Sequence, residues 1–372
     1  MPLALSGIRV LDLTRLMPGA LCTLLLADLG ANVIKIESPD GGDYARLLSP
    51  AFFALSNRNK RSAVINLKTG ADVLKKLVER ADVLVESYRP GVMARLGCDY
   101  DTLKAINPRL VFCAMSGWGQ DGPYAQREGH DLNYVALAGI LGMMGTPQPL
   151  GGQVADVGGA YLALAGILAA LFKREREGVG SFVDIGLFES ALPFVAYSWS
   201  ESQTLGSGAG GGGALTGALA CYNVYTAKDG HPVALAALEP KFWANFCSTI
   251  DRPDLIPDYA DPDRQRYLKT EVAEIFARRT AQEWHDLLHD AECCFSLVTT
   301  PDQLALDEQV RARNLAGADK NGAWMRSPLR IAGDDMPLGA VPAYGAHTRV
   351  ILREAGYTSA EVDALIAAGK AR

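Results

Sequence analysis

Short apolar runs alternate with amphipathic segments over the N-terminal half of the chain. The runs that predict buried strands are 8–13, 32–37, 62–67, 82–86, 110–115 and 181–185. Apolar residues recur with helical spacing between several of them, over 18–29 and 68–80. Buried strands that alternate with amphipathic helices are typical of a parallel sheet with helices on both faces. The pattern therefore predicts an α/β, Rossmann-like doubly wound domain.

The pattern changes after a glycine-rich stretch at 206–213. Helices are predicted before it over 132–144, 157–177 and 187–204. Beyond it, strands over 222–226 and 231–236 flank an Asp229-Gly230 turn, and four helical segments follow at 241–250, 270–278, 281–291 and 300–309. We predict a large domain (1–205 and 335–372, with a final helix at 359–368), a linker or flap (206–221) and a smaller α+β domain (222–325).

Composition narrows the classes of function. The 372 residues are 49% hydrophobic and 21% charged, with a net charge of −6, which fits a globular protein of two domains and disfavours nucleic acid as a partner. The longest apolar run, 160–172, is too short to cross a bilayer, so no membrane partner is predicted. Seven cysteines without a CxxC pair favour reduced thiols and a cytoplasmic location.

No nucleotide-cofactor or metal motif is complete. The first strand–helix turn, 12–19, lacks GxGxxG, and Glu37 alone is a weak ribose ligand, so neither NAD nor flavin is predicted. His285, His289 and Cys293 follow helical spacing but lack a fourth ligand, so we predict an ordinary amphipathic helix and no metal site.

Residues 129–134, Gly-His-Asp-Leu-Asn-Tyr, place a titratable imidazole before an apolar run. Asp131 is predicted to be the N-cap of a helix there, which would put His130 at a positive helix terminus. Such an imidazole could move a proton beside groups that stabilise an oxyanion. The alternative is that His130 only forms a hydrogen bond near the cap.

Two acids are further candidates. Asp156 lies among small residues that would let a ligand approach its carboxylate and a new helix N-terminus; its alternative role is that helix's N-cap. Glu239 ends an apolar strand and precedes Pro240, so it is either a functional carboxylate or a cap.

An ordered set of motifs resembles family III CoA transferases (CaiB/BaiF). They are 5–13 (LSGIRVLDL), 26–31 (LADLGA), 57–61 (NRNKR), 66–68 (NLK), 88–91 (YRPG) and 117–123 (GWGQDGP). The Gly-His-Asp-Leu-Asn-Tyr block is similar to that of the α-methylacyl-CoA racemase branch, because family transferases usually lack this histidine.

The resemblance implies a Rossmann-like domain, a small domain and an interlocked homodimer whose active site lies between the large domain of one chain and the small domain of the other. It implies an acyl-CoA substrate and no separate cofactor. His130 and Asp156 would be the catalytic pair, and Glu239 would orient or charge the base. The implied CoA contacts are Asn66, Leu67, Lys68, Ser87, Tyr88, Arg89, Arg95, Gly129, Asp131, Asn133 and Tyr134.

Racemisation of a 2-methylacyl-CoA needs one base on each face of a planar enolate, and a histidine with a carboxylate meets that need. Lys68, Arg89 and Arg95 suit the CoA phosphates, although each alone could belong to a solvated charged face. A CoA transferase with Asp156 as nucleophile, forming an aspartyl-CoA thioester, is the main alternative. A non-catalytic acyl-CoA-binding protein is the second.

Three features depart from the resemblance. Ser38 stands where the family often has an arginine, so one adenine or phosphate contact is either missing or supplied by Arg46. Residues 215–223 differ from the usual racemase loop, so the resemblance does not predict which residues line the substrate pocket. The four glycines at 210–213 resemble the flap of the family's transferases.

Overall fold

The computed structural model describes residues 2–205, 212–319, 322–332 and 337–372. The chain divides into two compact units. The first contains Met1–Ala138, Leu150–Pro193 and Glu308–Arg372, and the second contains Gly139–Pro149 and Phe194–Asp307. These limits differ from the predicted domains, because 139–149 and 194–205 belong to the second unit and 308–325 to the first.

A six-stranded parallel sheet forms the centre of the first unit, in the order β3-β2-β1-β4-β5-β6. Its strands are β1 (Arg9–Leu13), β2 (Asn32–Glu37), β3 (Arg61–Val64), β4 (Val83–Glu86), β5 (Val111–Ser116) and β6 (Phe182–Gly186). From β1 the chain adds strands towards β3 on one side of the sheet, and from β4 it adds them towards β6 on the other side, so the strand order reverses between β1 and β4. Doubly wound folds bind ligands at such a point. The α/β fold class predicted from the alternating pattern is confirmed.

Among the other described strands, β7 (Tyr222–Thr226), β8 (Pro232–Ala236) and β9 (Phe295–Leu297) form an antiparallel sheet in the second unit. Strands β10 (Ala316–Asp319) and β11 (Gly322–Met325) pair antiparallel in the first. Trp243, Phe246 and Phe276 are buried at the centre of the second unit's own core.

The described α-helices are, in chain order, α1 (Leu16–Asp28), α2 (Ala45–Leu48), α3 (Pro50–Asn57), α4 (Ala71–Val78), α5 (Val92–Arg95), α6 (Tyr100–Ile106), α7 (Asp131–Leu137), α8 (Val154–Glu177), α9 (Leu187–Ala191), α10 (Ala196–Leu205), α11 (Pro240–Thr249), α12 (Gln265–Phe276), α13 (Ala281–Leu288), α14 (Glu308–Ala312), α15 (Thr348–Glu354) and α16 (Ser359–Ala367). Short 3₁₀ segments occur at Leu141–Met143, Leu192–Val195, Ala214–Thr216, Pro253–Leu255, Pro262–Arg264 and Pro301–Leu306.

Several predicted helices differ in detail. The single helix predicted over 187–204 is broken into α9, a 3₁₀ turn and α10, and the helix predicted over 132–144 ends at Leu137. The segment 300–309 is mostly a 3₁₀ turn. Of the predicted linker, 206–211 lie outside the described residues, and 214–216 form a 3₁₀ turn.

Helix α8 is longer than the apolar run that predicted it. Its 24 residues are long and apolar enough to cross a membrane by length and composition, a property that buried core helices share. It packs against α1 and against β5 and β6 of the sheet. All seven cysteines are free thiols. Among the described residues, no group of three His, Cys, Asp or Glu side chains could hold a metal ion.

A buried ionic network lies at the carboxyl end of β1 and β2. Asp12 Oδ2 lies 3.2 Å from Lys60 Nζ and 3.7 Å from Lys35 Nζ, and Lys35 also pairs with Asp43 at 2.9 Å. Burial raises the pKa of Asp12, but the two lysines and neighbouring hydroxyls together lower it to about 2. The network fixes the loops that leave β1 and β2 at the carboxyl edge of the sheet.

Candidate active site

His130 and Asp156 are carried by two helices whose N-termini are tied together. His130 is the N-cap of α7, and its backbone N–H donates to Asn133 Oδ1 at 3.0 Å. Asp131 Oδ1 accepts the backbone N–H groups of Ala155 at 2.7 Å and Asp156 at 3.0 Å, in the first turn of α8. His130 is therefore the sequence neighbour of Asp131, whose side chain holds the backbone of Asp156 by a hydrogen bond.

This arrangement corrects two predictions. Asp131 was predicted to be the N-cap of its own helix, but His130 is the cap, because the Asp131 carboxylate is engaged by α8 instead. The alternative role of Asp156 as N-cap is also wrong, since Gln153 is the N-cap and Asp156 lies in the first turn. The N–H groups of Ala155 and Asp156 are already taken, so a ligand does not meet them.

The environment of Asp156 favours proton transfer near neutral pH. Burial and, next, the like charge of Asp131 raise its pKa to about 7. The side chain of Asp156 is half-buried, whereas His130 is exposed. A carboxyl group that titrates near neutrality is characteristic of a general acid or base.

Tyr134 shapes the loop that carries His130. Its hydroxyl donates to Gly129 O at 2.8 Å, and its ring is packed edge-on against Trp118, with 5.1 Å between the ring centroids. A Cβ on Gly129 would lie 2.7 Å from Tyr134 Cε1, so only glycine fits there. Tyr134 is buried, which supports a role in holding the loop, whereas its predicted contact with CoA stays a prediction.

A cavity of about 170 Å³ lies at the carboxyl edge of the sheet. It is lined by residues that follow four adjacent strands: Arg15 after β1, Ser38 after β2, Asn66, Leu67 and Lys68 after β3, and Tyr88 after β4. Four of the predicted CoA contacts therefore meet in one place. Its lining also includes the apolar residues Ile36, Ile65, Val92 and Leu96 and the acids Glu37 and Asp40.

The other predicted contacts lie elsewhere. Arg89 is exposed and pairs with Glu128 at 3.1 Å, which joins the loop after β4 to the loop before His130. Arg95 is exposed in α5, and Asn133 is exposed in α7. The Ser87 hydroxyl accepts the backbone N–H of Arg15 at 3.2 Å, so it supports the cavity wall.

Glu239 lies in the second unit, at the N-cap of α11. It therefore has the cap position that its alternative role predicts, but its side chain is exposed and forms no capping hydrogen bond. Its role beside the base stays a prediction.

No sequence pattern points to Arg15, and Arg46 does not have the contact that the sequence suggests for it. Arg46 binds Glu37 through two hydrogen bonds of 2.7 Å and does not line the cavity, so it does not replace the arginine missing at Ser38. Arg15 has no motif around it. Only the structure brings its side chain beside residues from β2, β3 and β4.

Two further cavities exist in the first unit. One, of about 320 Å³, is lined by Glu86, Arg89, Gln120 and three aromatic rings, those of Tyr100, Phe112 and Phe182. The other, of about 660 Å³, lies among Asp28, Arg58, Arg313 and Arg330 and contains none of the predicted site residues.

The model of CoA-transferase family III matches residues 5–348. The chain belongs to this family. It is 31% identical to the human alpha-methylacyl-CoA racemase, over 97% of this chain and 95% of the relative. It is 33% identical to the acetyl-CoA:oxalate CoA-transferase of Acetobacter aceti, over 89% of this chain and 90% of the relative. Family III therefore includes relatives of both activities at similar identity.

A solved family structure has the same fold. The crystal structure of a CaiB/BaiF family protein from Brucella suis matches 95% of this chain and all of that chain, with a TM-score of 0.82 and 28% identity. The resemblance inferred from the ordered motifs is confirmed.

Proposed function

We propose that the protein racemises 2-methyl-branched acyl-CoA thioesters, with His130 and Asp156 as the two bases. One base removes the α-proton, and its electron pair passes into the thioester carbonyl to give an enolate. The conjugate acid of the other base returns a proton to the opposite face. Because one group gains a proton while the other loses one, both groups exchange protons with water before the same enantiomer is processed again.

The single observation that carries this proposal is the tie between the two helix N-termini. Asp131 Oδ1 accepts the backbone N–H of Asp156 at 3.0 Å, and Asp131 directly follows His130 in the sequence. The pKa of Asp156, raised to about 7, lets its carboxyl group act as a base for one enantiomer and as an acid for the other. A carboxyl group with an ordinary pKa is already ionised well below neutral pH, so it would supply the base but not the acid.

We further propose an acyl-CoA substrate in an interlocked homodimer in which Glu239 of the second unit assists the base, with no separate cofactor and in the cytoplasm. The homodimer is testable by sedimentation, and a dimeric mass is expected. A stable monomer with full activity would contradict the assignment of Glu239.

A CoA transferase with Asp156 as nucleophile is the second candidate, favoured by the transferases among the relatives. Its first step needs an ionised carboxylate to attack the thioester and release CoA thiolate. A racemase also needs the ionised form of Asp156 for one of the two enantiomers, so the raised pKa of this group is compatible with both candidates.

Incubation of one enantiomer of a 2-methylacyl-CoA in deuterium oxide, without an acceptor acid, separates the candidates. A racemase incorporates α-deuterium and yields both enantiomers. A transferase leaves the α-proton in place and moves CoA only when a carboxylic acid is added. A non-catalytic binding protein does neither but still binds CoA.

A further inference from the structure

Arg15 is a cation that lines the cavity on the carboxyl edge of the sheet. It follows β1, next to β4, at the point where the winding of the sheet reverses. Its guanidinium carbon lies 4.9 Å from the ring centroid of Tyr44 and 5.6 Å from that of Tyr88. Its Nη1 donates to the Tyr44 hydroxyl at 2.7 Å. These contacts fix the side chain before any ligand arrives.

The backbone around Arg15 is also constrained. Its N–H donates to Ser87 Oγ, and the N–H of Leu16 donates to Asp43 Oδ1 at 3.2 Å. Leu16 has φ of 60°, a left-handed conformation that a branched residue adopts at a cost. Asp43 belongs to the buried ionic network through Lys35. The interior of the unit therefore holds Arg15 in a strained turn.

The charge of Arg15 is available to a ligand. Among the described residues, no carboxylate lies within ion-pairing distance of its guanidinium group. Glu37, which lines the same cavity, is bound by Arg46 and by the Ser62 hydroxyl, so it does not neutralise Arg15. Asp40 lies at the exposed rim, and Lys68 adds a second exposed cation. A cavity lined by apolar residues, an arginine and a lysine suits a purine nucleotide with its phosphates.

We propose that Arg15 binds a phosphate of the nucleotide end of CoA and supplies the cation that Ser38 lacks. The inference rests on the proposed acyl-CoA substrate but not on the racemase chemistry. Ser38 and Arg15 line the same cavity from the loops after the adjacent strands β2 and β1, so a ligand beside Ser38 is within reach of the Arg15 cation. Arginine is suited to this role because its planar group stacks on tyrosine and donates to phosphate simultaneously.

The test measures dissociation constants by calorimetry for CoA, 3′-dephospho-CoA and 4′-phosphopantetheine. We expect Arg15→Gln to weaken CoA binding about tenfold, the loss of one charge-assisted hydrogen bond, and to leave 4′-phosphopantetheine binding unchanged. A loss confined to CoA assigns the 3′-phosphate, and an equal loss with 3′-dephospho-CoA assigns the adenosine-side phosphate of the pyrophosphate, which 4′-phosphopantetheine lacks; both support the proposal. Arg15→Lys is expected to recover part of the affinity.

The matched control is Arg264→Gln, which removes an arginine over a tyrosine ring in the second unit, 4.3 Å from the Tyr267 centroid. It is expected to leave all three constants unchanged. If Arg15→Gln binds CoA within twofold of the wild type, or weakens 4′-phosphopantetheine equally, the role of Arg15 is refuted while the proposed substrate stands. If the wild type binds no CoA, both proposals are refuted.

Discussion

The carboxylate of Asp131 accepts the backbone N–H of Asp156 at 3.0 Å, and its charge helps to raise the pKa of the Asp156 side chain. Asp131 therefore both positions Asp156 and raises the pKa of its side chain. Asp131 was predicted from the family resemblance to be a CoA contact. Its observed partners give it a positioning function at the junction of α7 and α8 as well.

Replacement of Asp131 by asparagine is expected to move the pH dependence of catalysis to lower pH. The amide oxygen still accepts the N–H groups of α8, but the like charge is gone, so the pKa of Asp156 falls. We expect the ascending limb of kcat/KM, for the enantiomer that Asp156 deprotonates, to shift down by about one pH unit. Glu128→Gln, which removes an exposed acid two residues before His130, should leave the limb in place; the same shift there would contradict this account.

Glu86 gives a prediction about stability. Burial, together with the nearby Asp184, raises the pKa of Glu86 to about 8, although the N–H of Tyr88 opposes the shift. Between the ordinary pKa of a glutamate and pH 8 the folded state binds the extra proton, so folding stability falls as pH rises through this window. Urea unfolding at pH 9 should find Glu86→Gln more stable than the wild type by about 4–5 kcal/mol, the free energy that corresponds to this shift in pKa. At pH 5 the difference in the free energy of unfolding between the two proteins should vanish. The same difference at both pH values would contradict the raised pKa of Glu86.

The buried network at the end of β1 predicts a large loss of stability. Asp12→Asn leaves Lys60 without a buried counter-charge beside it and leaves Lys35 with Asp43 alone, and removal of one partner of such a group costs about 3–5 kcal/mol. Replacement of Lys60 by methionine in the same chain should recover part of the loss. Asp72→Asn, which breaks the exposed pair with Lys370, is the control and should cost under about 1 kcal/mol. Equal losses for the two single variants, measured by urea unfolding, would contradict the assignment.

Tyr134→Phe removes the hydroxyl that closes the loop before His130. The lost hydrogen bond to Gly129 should cost about 1 kcal/mol of folding stability. We expect the rate of α-proton exchange to fall about tenfold, because a small displacement of a base is costly to proton transfer. The control is Tyr124→Phe, since Tyr124 also packs edge-on against Trp118. Equal rates for both variants would show that the hydroxyl does not position the loop.

The central sheet could be predicted from the sequence because its strands are buried and form continuous apolar runs. The limits of β3 could not. The run at 62–67 predicts a strand, but β3 ends at Val64, because Ile65 then pairs with Ala371 and the N–H of Asn66 donates to Lys370 O at 2.9 Å. These partners lie at the other end of the chain, where no local pattern reveals them.

The candidate site was predictable in part. His130 and Asp156 were found from a motif and from small residues around an acid, and the structure places their helix N-termini together. The cap at Asp131 was predicted wrongly, because the carboxylate prefers α8, an element that local spacing does not connect to it. Arg15 was missed since its environment comes from Tyr44, Ser87 and Tyr88, far away in sequence.

Face-resolved deuterium exchange in His130→Ala and Asp156→Asn tests the two-base proposal most directly. Each pure enantiomer of a 2-methylacyl-CoA is incubated with each variant in deuterium oxide, and α-deuterium and configuration are measured. Neither variant should racemise. Each should still exchange one enantiomer with retention of configuration, and the enantiomer should be opposite for the two variants, because the remaining base serves one face. Full racemisation by either variant, or exchange of the same enantiomer by both, would contradict the proposal that these two residues serve opposite faces of one carbon.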